Sequence, residues 1–192
     1  MVEAKGLGKK YGRRWVFRNV EFHLGLGDAL LIVGPNGSGK STLLKVVAGL
    51  TPATAGRVSL QGDPRRTLGY AALDLNLYPH LTALEHLELA GELKGCEARA
   101  EELLQRVGLE EACDKHAANM STGMRMRLKL ALAIQSDPAL LLLDEPGASL
   151  DDGGRQLVRE ICLEQRQRGA LIVATNDRRE RELGNMAIDL NA

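Results

Sequence analysis

Residues 34–42 read Gly34-Pro35-Asn36-Gly37-Ser38-Gly39-Lys40-Ser41-Thr42, which fits the spacing G-x-x-x-x-G-K-[ST]. The chemistry of that pattern is phosphate binding. Its glycines let successive backbone N–H groups turn inward on phosphate oxygens. A helix beginning at about Lys40 aims its positive end at the same oxygens. Lys40 adds a point charge for the outer phosphates, and Ser41 offers a hydroxyl to magnesium. A second group stands at Leu140-Leu141-Leu142-Leu143-Asp144-Glu145-Pro146, where two carboxylates follow an apolar run. In open parallel sheets, ligands bind at such strand ends. Asp144 suits magnesium coordination through water. Glu145 reaches the outer phosphate, where it polarises an attacking water or accepts its proton. Either motif alone has a plain reading, as a glycine turn or as an exposed pair of acids; together they support each other.

These groups need strands and helices to hold them. Val16, Phe17, Val20, Phe22 and Leu24 sit among polar residues, as in antiparallel strands with one wet face. Ala29 to Val33 is continuously apolar, the mark of a strand covered on both faces. Thr42 to Leu50 reads as a short helix, and Gly56 to Leu60 and Thr67 to Ala71 as short strands. From roughly 75 to 137 the period turns helical, with Leu84, Leu87 and Leu93, then Leu103, Leu104 and Val107. A further helix runs from Ser121 through Leu128 and Leu132 to Gln135 and stops before Pro138. Ala139 to Leu143 and Ala170 to Thr175 are apolar strands separated by a helix near Arg155 to Arg168. Strand, helix, strand in this order predicts a parallel sheet with crossover helices.

Composition narrows the classes. The chain has 192 residues, 44% hydrophobic and 26% charged, which suits one globular domain and excludes a disordered tail. Lys plus Arg and Asp plus Glu are each 25, so the net charge is 25 − 25 = 0, with no global pull toward nucleic acid or an anionic membrane. No apolar run approaches the ~20 residues that cross a bilayer. Cys96, Cys113 and Cys162 are too scattered for a disulfide framework or zinc site, and a reducing, cytoplasmic setting is expected. His23, His80, His86 and His116 lack metal-site spacing and read as structural or surface residues. Arg125, Arg127 and Lys129 read as a solvated face, since no aromatic residues interleave with them.

Taken in order, the motifs resemble the ATP-binding cassette (ABC) family, the ATPase subunits of ABC transporters. Tyr11 lies where that family has an aromatic stacking on adenine. Met120-Ser121-Thr122-Gly123-Met124 lies at its LSGGQ signature, Ala148-Ser149-Leu150-Asp151 at its D-loop, and Pro146 completes D-E-P. The resemblance implies an α/β fold: a P-loop NTPase core with an N-terminal antiparallel β-subdomain and a helical subdomain inserted at about 75–137, all within one domain, 1–192. It implies ATP and Mg2+, the phosphate loop 34–42 for ATP, Ser41 and Asp144 for the metal, and Glu145 with Lys40 for catalysis. It also implies a second ABC ATPase subunit whose Ser121, Gly123 and Asp151 close over the nucleotide. A membrane-spanning transporter subunit carries the substrate, and the chain sits peripherally on the inner face of the cell membrane. Nucleic acid is not an expected partner.

Three positions depart from the family. The signature keeps only Ser121 and Gly123, in an S-x-G-M form that resembles ABC-2-type exporters. Leu73 stands at the Q-loop glutamine, with Asp74 beside it as a candidate metal ligand. Asn176 replaces the switch histidine that touches the outer phosphate and keeps only a shorter amide donor. Only 16 residues follow Asn176, so no regulatory C-terminal domain is expected. That compactness resembles the cytochrome-c-maturation haem exporter ATPases and other small exporter ATPases. The alternatives are a weakly hydrolysing regulatory subunit and a soluble, non-transport ABC ATPase. A GTPase is disfavoured because no Asn-Lys-x-Asp follows the loop.

Overall fold

The computed structural model describes Val2–Leu190. Two sheets form its frame. The first is antiparallel, in the order β2-β1-β4, from β1 (Val2–Tyr11), β2 (Arg14–Leu24) and β4 (Ala55–Leu60). The second is built from β3 (Ala29–Val33), β5 (Leu68–Ala72), β6 (Leu140–Asp144), β7 (Ala170–Thr175) and β8 (Met186–Asp189). Its order is β5-β6-β7-β3-β8, with every pairing parallel.

The apolar runs are explained by what covers the parallel sheet. Successive strand residues face opposite sides. Leu141, Leu143, Leu171 and Val173 join a core shared with the helical region. Leu140, Leu142, Ile172 and Ala174 join a core shared with the antiparallel sheet and the helix that follows β3. Both faces are dry, so β6 and β7 have no position for a polar residue until Asp144 and Thr175, at their C-terminal ends.

That helix is α1 (Lys40–Val47). Between β5 and β6 lie α3 (Ala83–Lys94), α4 (Ala100–Val107) and α5 (Thr122–Ile134). Thr82 and Glu85 close a capping box at the start of α3, and Gly95 ends it in the left-handed region. His86 is buried there; its Nδ1 donates to Thr82 O (2.7 Å) and its Nε2 accepts from Tyr78 N (3.0 Å), a structural role. The helix α6 (Asp152–Arg168) connects β6 to β7. It starts earlier than its apolar period suggests, because the Asp151 side chain caps it while Gly153 and Gly154 hide the first turn.

Three elements have no clear sequence signal. Gly6 and Gly8 interrupt the alternation of β1, which is held by strands on both sides. The short α2 (Pro64–Thr67) has no buried residue, and β8 is a mostly exposed edge strand defined by pairing with β3. The basic run on α5 differs from expectation. Lys129 is 5% exposed and donates to Leu73 O at 2.6 Å. Arg125 donates to Met120 O, and Arg127 reaches both Val107 O and Asp151. The cations are turned onto backbone carbonyls because α5 is enclosed by β5 and α4, so this is a set of ties between elements and not a solvated face.

Candidate nucleotide-binding site

Residues 34–39 join β3 to α1, and Asn36–Gly39 line a cleft of about 790 Å³ whose lining also includes Tyr11, Trp15, Lys40 and Glu145. Gly39 occupies the N-cap of α1 at φ 103 and supplies no capping side chain, so no side chain claims the first-turn N–H groups. A Cβ there would stand 2.4 Å from Val16 Cγ1. Glycine is therefore required both by conformation and by the approach of β2. The result is a positive helix end opening into the cleft.

Lys40 is 5% exposed and held from three directions. Its Nζ donates to Gly34 O (2.9 Å) and Pro35 O (3.2 Å) and lies 3.4 Å from Glu145 Oε1. Glu145 is also approached by Asn176 N, which donates to Oε2 at 3.4 Å. The Asn176 Nδ2 in turn donates to Asn36 Oδ1 at 2.8 Å. The ends of β6 and β7 and the phosphate loop thus converge on one carboxylate and one ammonium. Asp144 closes β6, 5% exposed, with a buried Oδ1 that no donor reaches. Burial pushes its carboxyl above the ordinary carboxylate value, while the Ser41 side chain holds it down.

Most expected contact residues are brought together: Tyr11, the loop from Asn36 to Thr42, and Glu145 line the cleft. Gly34 and Pro35 carry the carbonyls that hold Lys40, and Asn176 joins through Asn36. Asp74 departs from its expected role. It does not line the cleft, and its carboxylate pairs with Lys45 Nζ at 2.5 Å, which leaves it satisfied one helical turn beyond Ser41. Ser121, Gly123 and Asp151 lie outside the cleft altogether. Ser121 Oγ caps α5, accepting from Met124 N, and Asp151 Oδ1 caps α6 and meets Arg127. Gly123 faces Ser149 O. None of the three lines the cleft of this chain's own phosphate loop.

Arg14 and Trp15 also line the cleft and are not marked by any motif. The signal that could have found them is the hairpin. Ladder partners Lys10↔Trp15 and Tyr11↔Arg14 bring them level with Tyr11. Among the described residues no cluster of three or more His, Cys, Asp or Glu could hold a metal. A divalent ion would take few protein ligands here and complete its shell from phosphate and water, as magnesium does. Asp144 with its unpartnered oxygen and the Ser41 hydroxyl fit that description. No helix among the described residues is long and apolar enough to cross a membrane.

Comparison with known proteins agrees with this geometry. Residues 17–148 match the family model described as ABC transporter. The chain is 36% identical over 184 residues to the uncharacterized ABC transporter ATP-binding protein YxlF of Bacillus subtilis, covering 92% of this chain and 62% of that one. It is 35% identical over 190 residues to the cytochrome c biogenesis ATP-binding export protein CcmA 2 of Cupriavidus metallidurans, covering 93% and 90%. Relatives at 32% identity, over 92% of this chain and 80–81% of theirs, are named for lantibiotic transport in Streptococcus pyogenes and glutamine transport in Escherichia coli. The chain spans about three fifths of the first two curated relatives, 62% and 61% of their length. The solved dimeric, post-hydrolysis structure of the ATP-binding cassette MJ0796, bound to ADP and Pi, superposes with TM-score 0.86 at 27% identity, over 98% of this chain and 94% of that one. With the phosphate loop, the buried strand ends and the helical insertion all in place, the chain belongs to the ABC transporter family and has the fold of its ATP-binding cassettes.

Proposed function

We propose that the chain is an ATPase cassette of an ABC transporter, binding ATP with Mg2+ and hydrolysing it as two cassettes close. The observation that carries this is the convergence of Lys40, Glu145, Asn176 and Asn36 beside the unpartnered Asp144 oxygen. The phosphate loop and the N-terminus of α1 bind the phosphate oxygens, Lys40 neutralises the outer ones, and Tyr11 stacks on the base. Ser41 and Asp144 hold the metal, which when bound supplies positive charge to the phosphates. Glu145, aimed by Lys40 and Asn176, orients a water and accepts its proton. Asn176 donates toward the outer phosphate.

A second cassette supplies Ser121, Gly123 and Asp151. Their placement outside this chain's cleft supports that arrangement, as does the dimeric state of the MJ0796 structure. The membrane-spanning partner meets the helical region, with the chain peripheral at the inner face. Export is supported by the S-x-G-M signature and the similarity to an export protein of cytochrome c biogenesis, which makes haem a candidate cargo. Names for lantibiotic and glutamine transport at comparable identity leave cargo to the membrane subunit. A weakly hydrolysing regulatory subunit is the second reading, favoured by Leu73 and Asn176.

The test is Glu145→Gln. Its turnover should fall by about 10³-fold, and ATP with magnesium should drive a dimer visible by sedimentation. Adding Ser121→Arg should abolish that dimer. A Glu145→Gln chain that stays monomeric at high concentration with ATP overturns the homodimeric sandwich.

A further inference from the structure

Glu145 has a left-handed backbone, φ 48, which residues other than glycine seldom adopt. Such a conformation persists only where neighbours over-determine it. The next residue, Pro146, has no N–H and a fixed φ. Two main-chain donors therefore anchor positions 145–147. Glu145 N donates to Ala174 O at 2.8 Å. Gly147 N donates to Glu180 Oε1 at 3.0 Å, in a buried contact.

Glu180 stands on the 3-10 segment Arg178–Leu183, past β7, and is 8% exposed. A Cβ on residue 147 would lie 2.5 Å from its Oε1, so glycine is what admits the carboxylate. Its other oxygen, Oε2, is buried, and the Thr175 side chain at the end of β7 also holds the carboxyl. A buried carboxyl is costly and calls for a reason. The reason lies in what the segment 174–180 grips: Ala174 O takes the Glu145 N–H, Asn176 N meets Glu145 Oε2, and Glu180 takes the Gly147 N–H.

We infer that Glu180 is a positioning residue for hydrolysis. It fixes the turn Glu145-Pro146-Gly147 from its far side, so that the Glu145 carboxylate points at the phosphate site. The same turn continues into Ala148–Asp151 and the cap of α6, so Glu180 also ties that interface segment to the β7 side. It does not line the phosphate-loop cleft. The inference rests on the reading of Glu145 as the water-activating carboxylate.

The experiment uses the full chain with Glu180→Leu, Glu180→Gln and Gly147→Ala. Leucine keeps the bulk and removes the acceptor. Its kcat for ATP hydrolysis should fall about 10- to 100-fold, with KM for ATP within about twofold because the phosphate loop is untouched. The Gly147 amide should exchange faster with solvent. Glutamine keeps an acceptor oxygen and should restore most of the loss. Gly147→Ala breaks the same contact from the other side and should reproduce the kcat loss, which decides the matter if Glu180→Leu does not fold. Parental kcat in Glu180→Leu, a glutamine variant as impaired as leucine, or an unchanged Gly147 exchange rate overturns the inference. Glu145→Gln, run alongside, separates the two readings: full turnover there sinks the role of Glu145, while Gly147 exchange judges Glu180 independently.

Discussion

The mouth of the phosphate loop and the loop after β5 both lie where strands of the parallel sheet end, yet they are held by different forces. At the mouth, Lys40 is buried and fixed by two carbonyls and Glu145, and the strand ends interlock through Asn36 and Asn176. After β5, two consecutive residues are each held by one long amine. Lys45 of α1 pairs with Asp74, with side chains 35% and 57% exposed, and Lys129 of α5 donates to Leu73 O. The first region is a short-range network around one buried ammonium, braced from several segments, with its Asn36–Asn176 bond at the exposed rim. The second is tied to α1 by an exposed ion pair that water and salt can loosen, and to α5 by a buried lysine on a backbone carbonyl that they reach far less. The mouth is thereby cross-braced by several segments at once, while each residue of the loop after β5 depends on a single contact.

The contrast breaks if substitutions at the mouth are mild. Lys40→Ala should weaken ATP binding by about 100-fold, near 2.7 kcal/mol, because it removes the one ammonium facing a nest of neutral donors. Quenching of the fluorescence of Trp15, the chain's single Trp, offers a direct titration, since Trp15 lines the cleft. Unchanged affinity would end the phosphate-site assignment.

A gain of function sharpens it. Asn176→His should raise steady-state ATP hydrolysis about 10-fold, the scale of one ~1.4 kcal/mol hydrogen bond made mainly in the transition state. Imidazole reaches further than the amide that now rests on Asn36. Leu73→Gln should add less, about twofold, because Leu73 lies outside the cleft on a loop held by Lys129. Equal gains from both would show that the loop after β5 belongs to the catalytic region.

Asp144 ties the site to stability. Its native carboxyl titrates above the unfolded value of 3.8 because of burial. Between those two values the native state holds more protons, so stability falls as pH rises through that window and the cost persists at neutral pH. Asp144→Asn should therefore raise Tm by about 2–4 °C at pH 7 while abolishing turnover. The gain should vanish below the unfolded carboxylate pKa. A lower Tm at pH 7 would mean that the negative charge is well paired in the fold.

The smallest effect belongs to the exposed pair. Asp74→Asn should cost about 0.5 kcal/mol and leave ATP affinity within twofold. Its difference from the parent, measured by thermal melting, should shrink in molar salt. A loss of ATP affinity would return Asp74 to the metal site.

The core and half of the site are legible in the sequence for a local reason. The loop 34–42, the pair Asp144–Glu145, the helix start at Ser121 and the apolar runs of β3, β6 and β7 each depend on residues a few positions apart. Hydrogen-bond geometry and burial on both faces write such patterns directly into the chain. The β1 strand and β8 escape because their pairing is supplied by neighbours and not by their own alternation.

What only the tertiary structure decides is where long side chains spend their charge. Asp74 meets Lys45 across 29 positions, Gly147 meets Glu180 across 33, and Leu73 meets Lys129 across 56. From the sequence, Lys129 belongs to a basic surface run and Asp74 stands beside the Q-loop position. Packing buries the first and satisfies the second. The sequence by itself determines the phosphate cradle, the two carboxylates and the strands that end at them, since these follow from local backbone conformation and periodicity. The partners of Asp74, Lys129 and Glu180, and the entry of Trp15 into the cleft, follow from burial and Coulomb energy between distant segments, which exist only once the sheet has brought those segments together.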